Sequence, residues 1–379
     1  MYNDFKGGKI MFNEKKYEKL FDLMHDNSLD AVMIAPSSDM EFLVDYHAHA
    51  DERLNCLVLL ADKRYFQISP LLNYEEAKVK YPENAVFYKW ADGDGFLDTV
   101  KKSFTDFGLI GKRIGVNETI RAIDVLDFQE LLDATFVNAH PMMEQYRIVK
   151  SNEEIAFMKR AGEIADEVMK DIKHFIKPGL YEYEVIEEIK RLYKEKGADD
   201  ISFSPIVATG KNSSMPHYNS GTSKIEVGDN VVVDCGCRYN NMCSDTSRTF
   251  FVGEPSKEQR RVYEICKRST FSAQESALEG VTAGSVDKVA RDIIVDEGYG
   301  DCFLNRTGHG IGFSVHEAPY IKANSTLVLE EGMAFSIEPG IYIAGKFGMR
   351  VENIVVIENG KGVSMNNSPV DIEDVIIKL

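Results

Sequence analysis

Four acidic residues in the second half of the chain interrupt segments that are otherwise apolar: Asp234, Asp245, Glu338 and Glu352. An ionised carboxylate that leaves water pays a large desolvation cost unless it is paired with a cation or bound to a metal ion. For the first two acids taken alone, a solvated edge or a salt-bridge pair is an adequate explanation. Four such groups are difficult to explain as part of a core, and together they predict a cation-binding centre.

His309 is a fifth candidate ligand. It lies in residues 307–312, Thr-Gly-His-Gly-Ile-Gly, where the glycines allow the backbone to approach its neighbours closely. A lone histidine is usually structural, but here the four acids favour a ligand. Four carboxylates carry −4 and a neutral imidazole adds nothing, so two divalent ions would neutralise the cluster. Carboxylate oxygens with one imidazole suit manganese, cobalt or zinc.

A zinc site built from thiolates is the rival interpretation, because Cys235, Cys237 and Cys243 lie close to Asp234 in the chain. Side chains alternate along a strand, so Cys235 and Cys237 face away from Asp234. The sequence offers no second closely spaced Cys or His pair to complete four ligands. We therefore expect these cysteines in the core.

A β-hairpin is expected to position the first two acids. Its parts would be a strand at 231–237 with Asp234, a turn at 238–241, and a return strand at 243–251 with Asp245. The second pair of acids stands in the same setting, because Glu338 and Glu352 border apolar segments. A hairpin through residues 344–348 would join them.

A faint internal sequence repeat supports the comparison of these two hairpins. Gly228 and Asp234 align with Gly332 and Glu338 at one offset, since 332 − 228 and 338 − 234 both equal 104. The helical segments that begin near residues 177 and 282 are also similar. Two related halves would place Asp234 and Glu338 at equivalent points about an approximate two-fold axis, whereas unrelated helix and strand units are the alternative.

The first part of the chain alternates helical and strand-like segments, which is typical of an α/β domain. A helix is expected over residues 14–27, followed by apolar strands such as 31–35 and 56–60. A capping box formed by Ser151 and Glu154 then begins a long helix. The expected organisation is a loose N-terminus at 1–12, an α/β domain at 13–147 and a second domain at 148–379.

Composition limits the partners of the protein. With 44 basic and 61 acidic residues among 379, the net charge is −17, which argues against binding to nucleic acid or to an anionic membrane. No segment approaches the roughly 18 apolar residues of a membrane span, and the first residues lack the apolar run of a secretory signal. Six cysteines are few for this length and favour a reducing compartment. We therefore expect a cytoplasmic protein with small-molecule or peptide partners.

Five motifs, in this order, resemble the metallopeptidase family of prolidase, aminopeptidase P and methionine aminopeptidase: Asp234-x10-Asp245, 307–312, His-Glu-Ala-Pro at 316–319, Ile-Glu-Pro-Gly-Ile-Tyr at 337–342, and Arg-Val-Glu-Asn at 350–353. The resemblance covers roughly residues 145–379. It implies an α+β catalytic domain of the pita-bread fold with an internal pseudo-two-fold repeat. The preceding α/β domain is similar to the N-terminal domain of the prolidase and aminopeptidase P branch. The implied activity is removal of an N-terminal residue before proline.

The resemblance also implies residue roles. The implied ligands of a dinuclear site are Asp234, Asp245, His309, Glu338 and Glu352. Asp245 and Glu352 would bridge the two ions, and Glu338 would move the proton of the attacking water. His217 and His316 are similar to the two outer histidines of the family, which donate hydrogen bonds to the substrate carbonyl and the tetrahedral intermediate. Structural histidines in loops are the alternative.

Two further positions bear on substrate binding. Arg350 shares the strand face of Glu352 and could orient that carboxylate or meet a substrate carboxylate, or it could form a plain salt bridge. Many relatives carry an arginine four residues after the second outer histidine, where it can bind the C-terminal carboxylate of a dipeptide. This chain has Tyr320 there, with Lys322 two residues further on. The choice between dipeptides and longer peptides therefore stays open.

The sequence thus predicts a metal-dependent Xaa-Pro peptidase of the dipeptidase or aminopeptidase P type. The resemblance implies a homodimer, in which the polar residues 46–53, including His47 and Arg53, could select the end of the substrate or form a solvated loop. The alternatives are a creatinase-like C–N hydrolase, whose relatives lack the metal ligands, and a non-catalytic binding protein built on the same fold.

Overall fold

A computed structural model describes residues 14–379. The chain divides into two units, the first extending to Arg147 and the second spanning Ile148–Leu379. The predicted loose N-terminus at residues 1–12 lies outside the described residues. Within residues 14–379, no helix combines the length and the apolar character needed to cross a lipid bilayer.

The first unit consists of one mixed sheet with helices on both faces. Its elements are α1 (Glu14–Asp26), β1 (Ala31–Ile34), α2 (Ser38–Val44), β2 (Cys56–Leu60), β3 (Tyr65–Pro70), α3 (Leu71–Lys78), β4 (Phe87–Trp90), α4 (Leu97–Asp106), β5 (Arg113–Val116), α5 (Ala122–Leu132), β6 (Thr135–Asn138) and α6 (His140–Arg147). The strand order is β4-β3-β2-β1-β5-β6. The sheet is parallel from β1 through β5 to β6, and β2 runs antiparallel to both of its neighbours.

The central strand β1 shows why this unit has three layers. All four of its residues are buried. Val32 and Ile34 pack with residues of α1 and α6, while Ala31 and Met33 pack with residues of α4 and α5. Both faces of a strand with a continuous apolar run must be covered, so helices pack on each side. The predicted α/β class is confirmed.

The second unit contains the remaining elements. They are α7 (Asn152–Phe175), α8 (Glu182–Glu195), β7 (Asp200–Ile201), β8 (Ile206–Thr209), β9 (Asn230–Cys235), β10 (Cys237–Tyr239), β11 (Met242–Cys243), β12 (Thr246–Val252), α9 (Lys257–Ser276), α10 (Ala283–Asp296), β13 (Gly308–Gly310), β14 (Glu317–Ile321), β15 (Ala334–Ile337), β16 (Gly340–Ile343), β17 (Phe347–Arg350), β18 (Asn353–Glu358), β19 (Lys361–Ser364), α11 (Ile372–Val375) and β20 (Ile376–Ile377), with short 3₁₀ helices at Gly210–Ser214 and Gly300–Cys302. The two larger sheets have the orders β20-β12-β9-β8 and β14-β13-β15-β18-β19.

Helix α7 begins where the sequence predicts. The Ser151 hydroxyl accepts a hydrogen bond from the Glu154 backbone N–H, and the Glu154 carboxylate accepts one from the Ser151 backbone N–H. This reciprocal capping box satisfies two backbone donors that a helix N-terminus otherwise leaves unpaired. The helix ends at Phe175, before Pro178.

The two halves of the second unit have the same order of helices and strands, which agrees with the internal repeat in the sequence. Each half starts with a pair of consecutive helices, α7 with α8 and α9 with α10. Each then carries an antiparallel strand pair, β9 with β12 and β15 with β18, whose connection contains a further hairpin. These inner hairpins are β10 with β11 and β16 with β17. The hairpin predicted through residues 344–348 is therefore confirmed.

The first hairpin differs in detail from the prediction. Arg238 and Tyr239 belong to β10 and pair with β11, so the predicted turn at 238–241 is too long. Only Asn240 and Asn241 form the turn, with φ of 47° and 67°. A two-residue loop with both residues in the left-handed region matches the twist of its flanking strands, and asparagine tolerates that region. The predicted return strand at 243–251 is also interrupted between β11 and β12, and Asp245 lies in the interruption.

Candidate active site

Three of the four acids lie at breaks between an outer strand pair and an inner hairpin, and Asp234 lies one residue before the end of its strand. Asp234 is near the end of β9, directly opposite Ser247 of β12. Asp245 immediately precedes β12, Glu338 immediately follows β15, and Glu352 immediately precedes β18. At such breaks the chain leaves regular pairing, and a polar side chain can turn out of the core packing. The repeat thus presents one acid from each arm of both hairpins.

Three of the predicted ligands converge on a single point. Asp245, His309 and Glu352 each offer one ligand atom, and these atoms all lie within 4.8 Å of one another. All three side chains are buried. Glu338 joins them, because its Oε1 lies 3.2 Å from His309 Nε2.

Asp234 is held at this cluster by an arginine. Arg350 Nη2 donates to Asp234 Oδ2 at 2.6 Å, and Asp234 raises the pKa of Asp245 through its charge and a side-chain hydrogen bond. The structure therefore brings all five predicted ligands together. With Arg350 included, the side chains carry −4 + 1 = −3, a correction to the count of four acids alone.

Three carboxylate oxygens of the cluster have no hydrogen-bond partner among the described residues. Asp234 Oδ1, Asp245 Oδ1 and Glu352 Oε1 are buried and accept no hydrogen bond from the described residues. Burial raises the pKa of Asp245 well above its usual range, and the charges of neighbouring acids raise it further. Burial and then the charge of Glu338 do the same for Glu352. Orphaned anionic oxygens beside one imidazole fit hard or borderline divalent cations.

His309 presents one ring nitrogen to the acids. Its Nδ1–H can donate to the carbonyl oxygen of Gly310 at 3.0 Å, which would leave Nε2 to bind a metal ion through its lone pair. Without an ion, Nε2 can carry a proton instead and donate to Glu338 Oε1 at 3.2 Å. Burial alone would raise the pKa of Glu338, but the hydrogen bond and charge of His309 outweigh it and lower that pKa. The Ser336 hydroxyl also donates to Glu338 Oε1 at 3.1 Å. Glu338 is thereby kept ionised.

Glycines on both sides of His309 are required by close backbone contacts. A Cβ on Gly308 would lie 1.8 Å from the carbonyl oxygen of Ser336, and one on Gly310 would lie 2.1 Å from that of Ala318. No side chain fits at such distances. The expected close approach of this segment is confirmed, and it brings β13 between β14 and β15.

The two outer histidines lie beside the acids rather than among them. The His316 ring is 4.1 Å from the His309 ring, centroid to centroid, at 71°. Burial and then the charge of His309 lower the pKa of His316 to about 4, so its imidazole is neutral at neutral pH. His217 is exposed in the turn after the 3₁₀ helix at Gly210–Ser214, and its charge also acts on His316.

Arg350 and Ser247 connect the two pairs of acids, and Ser247 is a residue that the sequence analysis missed. Arg350 Nε donates to Ser247 Oγ at 2.7 Å, and Ser247 Oγ donates to Glu352 Oε2 at 2.7 Å. Arg350 Nη1 donates to Tyr342 Oη at 2.6 Å. Position 247 follows Asp245 at the strand period of two, which is the signal that could have identified it.

Two basic side chains lie beside Tyr320, the residue at the position where many relatives carry an arginine. The Arg306 guanidinium lies 4.9 Å from the centroid of the Tyr320 ring, and Lys322 Nζ lies 5.7 Å from it. Arg306 also acts on the pKa of His316 through its charge. A half-buried cation is therefore present beside the outer histidine, although it comes from a different position in the sequence.

The cysteines lie in the core, as expected from strand alternation. Cys235 and Cys237 belong to the large buried cluster of the second unit. Burial raises the pKa of the Cys237 thiol to about 12, so the thiol stays protonated. Among residues 14–379, no group of potential metal ligands includes a cysteine. The thiolate-zinc interpretation therefore has no support.

The polar segment at residues 46–53 forms ion pairs in the first unit. Arg53 contacts the carboxylates of Asp51, Glu52 and Asp92. His47 lies between Glu41 and Asp45. These contacts favour the solvated-loop interpretation of the segment.

Comparison with known proteins gives matches along nearly the whole chain. Residues 156–359 match metallopeptidase family M24, and residues 16–149 match the Creatinase/Prolidase N-terminal domain. A Xaa-Pro dipeptidase from Pyrococcus furiosus is 35% identical over 353 residues, which cover 92% of this chain and 96% of the relative. A recombinant prolidase from Thermococcus sibiricus superimposes with a TM-score of 0.91 at 34% identity, covering 97% of this chain and 99% of that one. An X-Pro aminopeptidase from Thermotoga maritima superimposes at 0.83 with 28% identity, covering 95% and 99%.

Proposed function

Because the chain belongs to metallopeptidase family M24, we propose that it is a Xaa-Pro dipeptidase that uses two divalent metal ions to hydrolyse the peptide bond before proline. The pita-bread fold of the second unit and the hydrolase class follow from the family and from the relatives. The observation that supports the proposal most directly is the cluster of Asp245, His309 and Glu352, with Asp234 and the partly exposed Glu338 beside it and three carboxylate oxygens left without partners.

Five side chains would hold the ions: Asp234, Asp245, His309, Glu338 and Glu352. Their oxygen-rich set with one imidazole suits manganese, cobalt or zinc. When bound, such ions lower the pKa of a water molecule and polarise the substrate carbonyl. Asp245 and Glu352 each have one buried oxygen without a hydrogen-bond partner, and these are the residues that we propose would contact both ions.

Glu338 is the proposed proton carrier of the reaction. Burial raises the pKa of its carboxyl group, whereas the charge of Arg350 and the hydrogen bond from Ser336 lower that pKa. As a carboxylate it can accept a proton from the attacking water and pass it to the leaving proline nitrogen. A positioned general acid or base of this kind contributes about 10²–10⁴-fold to the rate.

His217 and His316 are proposed to donate hydrogen bonds to the substrate. A neutral imidazole donates through one N–H, and the lowered pKa of His316 keeps it neutral at working pH. Such a donor aimed at the developing oxyanion stabilises the transition state by about 3 kcal/mol. Arg350 is engaged by Asp234, Ser247 and Tyr342, so its proposed role in binding the substrate directly stays a prediction beside this positioning role.

Two observations favour dipeptides over longer peptides as the proposed substrates: the names of the relatives and the position of Arg306. Relatives at 33–35% identity are named Xaa-Pro dipeptidases, whereas the X-Pro aminopeptidase structure is 28% identical. A dipeptide presents a free carboxylate next to the scissile bond, and an arginine binds carboxylates through charge-assisted hydrogen bonds. We assign this contact to Arg306, which rests on the Tyr320 ring.

The alternatives are less favoured. A creatinase-like hydrolase or a non-catalytic binding protein is expected to lose metal ligands or outer histidines, and all seven of these residues are present here. A homodimer in the cytoplasm stays a prediction from the resemblance and the composition.

A substrate panel tests the proposed activity. Metal-stripped protein would be assayed on Xaa-Pro dipeptides, Xaa-Pro tripeptides and Xaa-Ala dipeptides, with manganese, cobalt or zinc returned separately. We expect hydrolysis of Xaa-Pro dipeptides only after metal is returned. If protein that has bound metal leaves every Xaa-Pro substrate intact, the proposal is wrong; cleavage of tripeptides at a similar rate would instead support the aminopeptidase type.

The Arg306 assignment has a separate test. Arg306→Gln should lower kcat/KM for a Xaa-Pro dipeptide at least about tenfold, because a hydrogen bond to a charged group contributes about 1.5–3 kcal/mol. It should hardly change kcat/KM for the C-terminal amide of the same dipeptide, which has no carboxylate. The exposed Arg261→Gln is the matched control. Equal losses of kcat/KM for the dipeptide and for its C-terminal amide would show that Arg306 does not bind the substrate carboxylate.

A further inference from the structure

A second cavity lies in the catalytic unit, away from the acids. It has a volume of about 190 Å³ and is lined by helix α7, strand β12 and the C-terminal segment. Five charged or titratable residues line it: Lys170, Lys173, His174, Arg248 and Asp374. Four of them are basic and one is acidic, in a chain whose net charge is −17.

Arg248 is the most unusual residue of this lining, because it is 1% exposed and its acceptors are all neutral. They are Thr246 Oγ1, the carbonyl oxygens of Ser247, Glu352 and Ser368, and Asn353 Oδ1. Its Nε is buried and donates no hydrogen bond within the described part of the chain. A buried cation with an unused donor is costly unless an anion accompanies it.

Within residues 14–379, no acid pairs directly with Arg248 to supply that anion. Arg248 forms no ion pair with any residue between 14 and 379. Asp166 is the acid with the largest effect on its pKa, but the Asp166 carboxylate accepts hydrogen bonds from the backbone N–H groups of Asn367 and Ser368 and from the Ser368 hydroxyl. The guanidinium therefore keeps a charge that an anion in the cavity could neutralise.

Helix α7 adds more positive charge on the same side. Lys170, Lys173 and His174 are spaced at i, i+3 and i+4, which places them on one face of a helix. Across residues 14–379, none of the three forms a salt bridge. The one acid of the lining, Asp374, is exposed in the short helix α11.

The cavity is separate from the active site. Ser247 contacts Glu352 and Arg350, whereas Arg248, the next residue of β12, extends to the opposite face because strand side chains alternate. Arg248 Nη1 nevertheless donates to the carbonyl oxygens of Ser247 at 2.9 Å and Glu352 at 2.5 Å. An anion bound in the cavity would thus lie next to Arg248, whose guanidinium donates hydrogen bonds to the backbone of Ser247 and Glu352.

We propose that this cavity binds a phosphate-type oxyanion, free or carried on a small organic molecule, with Arg248 at its base and Lys170 and Lys173 at its rim. Acceptor oxygens on one centre suit two lysine ammonium groups, and the buried charge of Arg248 beneath them adds electrostatic attraction. The volume accommodates such a group with ordered water.

Binding would be measured on the metal-loaded full chain. Inorganic phosphate and glycerol phosphate would be titrated by calorimetry and by thermal shift, at an ionic strength held constant with chloride. The double variant Lys170→Gln/Lys173→Gln should bind about tenfold more weakly, since two charge-assisted hydrogen bonds are lost. Lys190→Gln/Lys194→Gln on α8 is the matched control and should bind like the wild type.

A change of opposite sign sharpens the test, because Arg248 variants risk misfolding. Asp374→Asn removes the one acid of the lining and should tighten binding. Preference for glycerol phosphate over inorganic phosphate would identify an organic phosphate as the ligand class, and the reverse a free ion. The proposal is overturned if neither compound binds, if both lysine double variants bind phosphate equally well, which would place the ion at the metal centre or elsewhere, or if Asp374→Asn weakens binding.

Discussion

Among the acids of the site, Glu338 is the residue to which we assign the proton transfer. Glu338→Gln keeps the size and one oxygen of the side chain but cannot accept a proton, so kcat should fall by about 10²–10⁴-fold. The assay would measure kcat on a Xaa-Pro dipeptide together with bound metal per chain and the melting temperature. The exposed Glu330→Gln in the same unit is the control. A kcat near the wild-type value would contradict the assigned role.

Ser247 is predicted to matter although it is not one of the five proposed ligands. Its hydroxyl links Arg350 to Glu352, and groups that orient metal ligands typically contribute 10–100-fold to metal affinity or activity. Ser247→Ala should therefore weaken metal binding by about that factor, measured by competition with a chromophoric chelator. Ser220→Ala, at an exposed serine, should leave metal affinity unchanged, and an equally unchanged Ser247→Ala would refute the link.

These two residues also show how far sequence reasoning reaches at this scale. Acids in apolar strands are anomalous and attract notice, which is why Glu338 could be predicted. Serine is common in strands and carries no charge, so Ser247 is inconspicuous until Arg350 and Glu352 are seen on either side of it. The buried ion pair of Lys150 and Glu317, 2.7 Å apart, could not be predicted either, because the two residues meet only through the fold.

At the element scale, the strands and helices follow from local patterns, but their interruptions do not. The capping box of α7 is complete in the sequence, and its helix begins at the expected residue. The predicted turn at 238–241 failed because two asparagines alone satisfy a two-residue loop, which lets Arg238 and Tyr239 continue the strand. Breaks such as the one at Asp245 depend on tertiary pairing, so periodicity cannot locate them.

Gly310 offers a test at this scale. An added Cβ would lie 2.1 Å from the Ala318 carbonyl oxygen, so Gly310→Ala must push β13 away from β14 and move His309. Overpacking of this kind costs about 1–3 kcal/mol, which should lower the urea midpoint and the metal affinity together. Gly93→Ala, where nothing lies within 4 Å, is the control. Unaltered stability of Gly310→Ala would show that the strands are not held as closely as described.

At the scale of the whole molecule, the charge of the catalytic centre couples metal binding to folding. With all four acids ionised, the centre would carry −3 without ions, counting Arg350, and burial removes the water that would screen these charges. Chelation should therefore lower the melting temperature of the second unit. A ligand at 100 times its Kd stabilises by about 2.7 kcal/mol, which for a unit of this size corresponds to roughly 5–10 °C. Scanning calorimetry with and without chelator measures the shift.

A charge-reduced variant separates this coupling from a general effect of the chelator. Asp245→Asn with Glu352→Gln removes two of the repelling charges and two of the predicted ligands, so its melting temperature should no longer depend on chelator. Without metal, the variant should also be more stable than the metal-free wild type. Burial, and then the charges of neighbouring acids, raise the pKa of both acids, and neutral amides avoid both costs. Equal melting temperatures of the wild type with and without chelator would mean that the acids do not share ions. A metal-free variant less stable than the metal-free wild type would mean that Asp245 and Glu352 are stabilised by protein contacts alone.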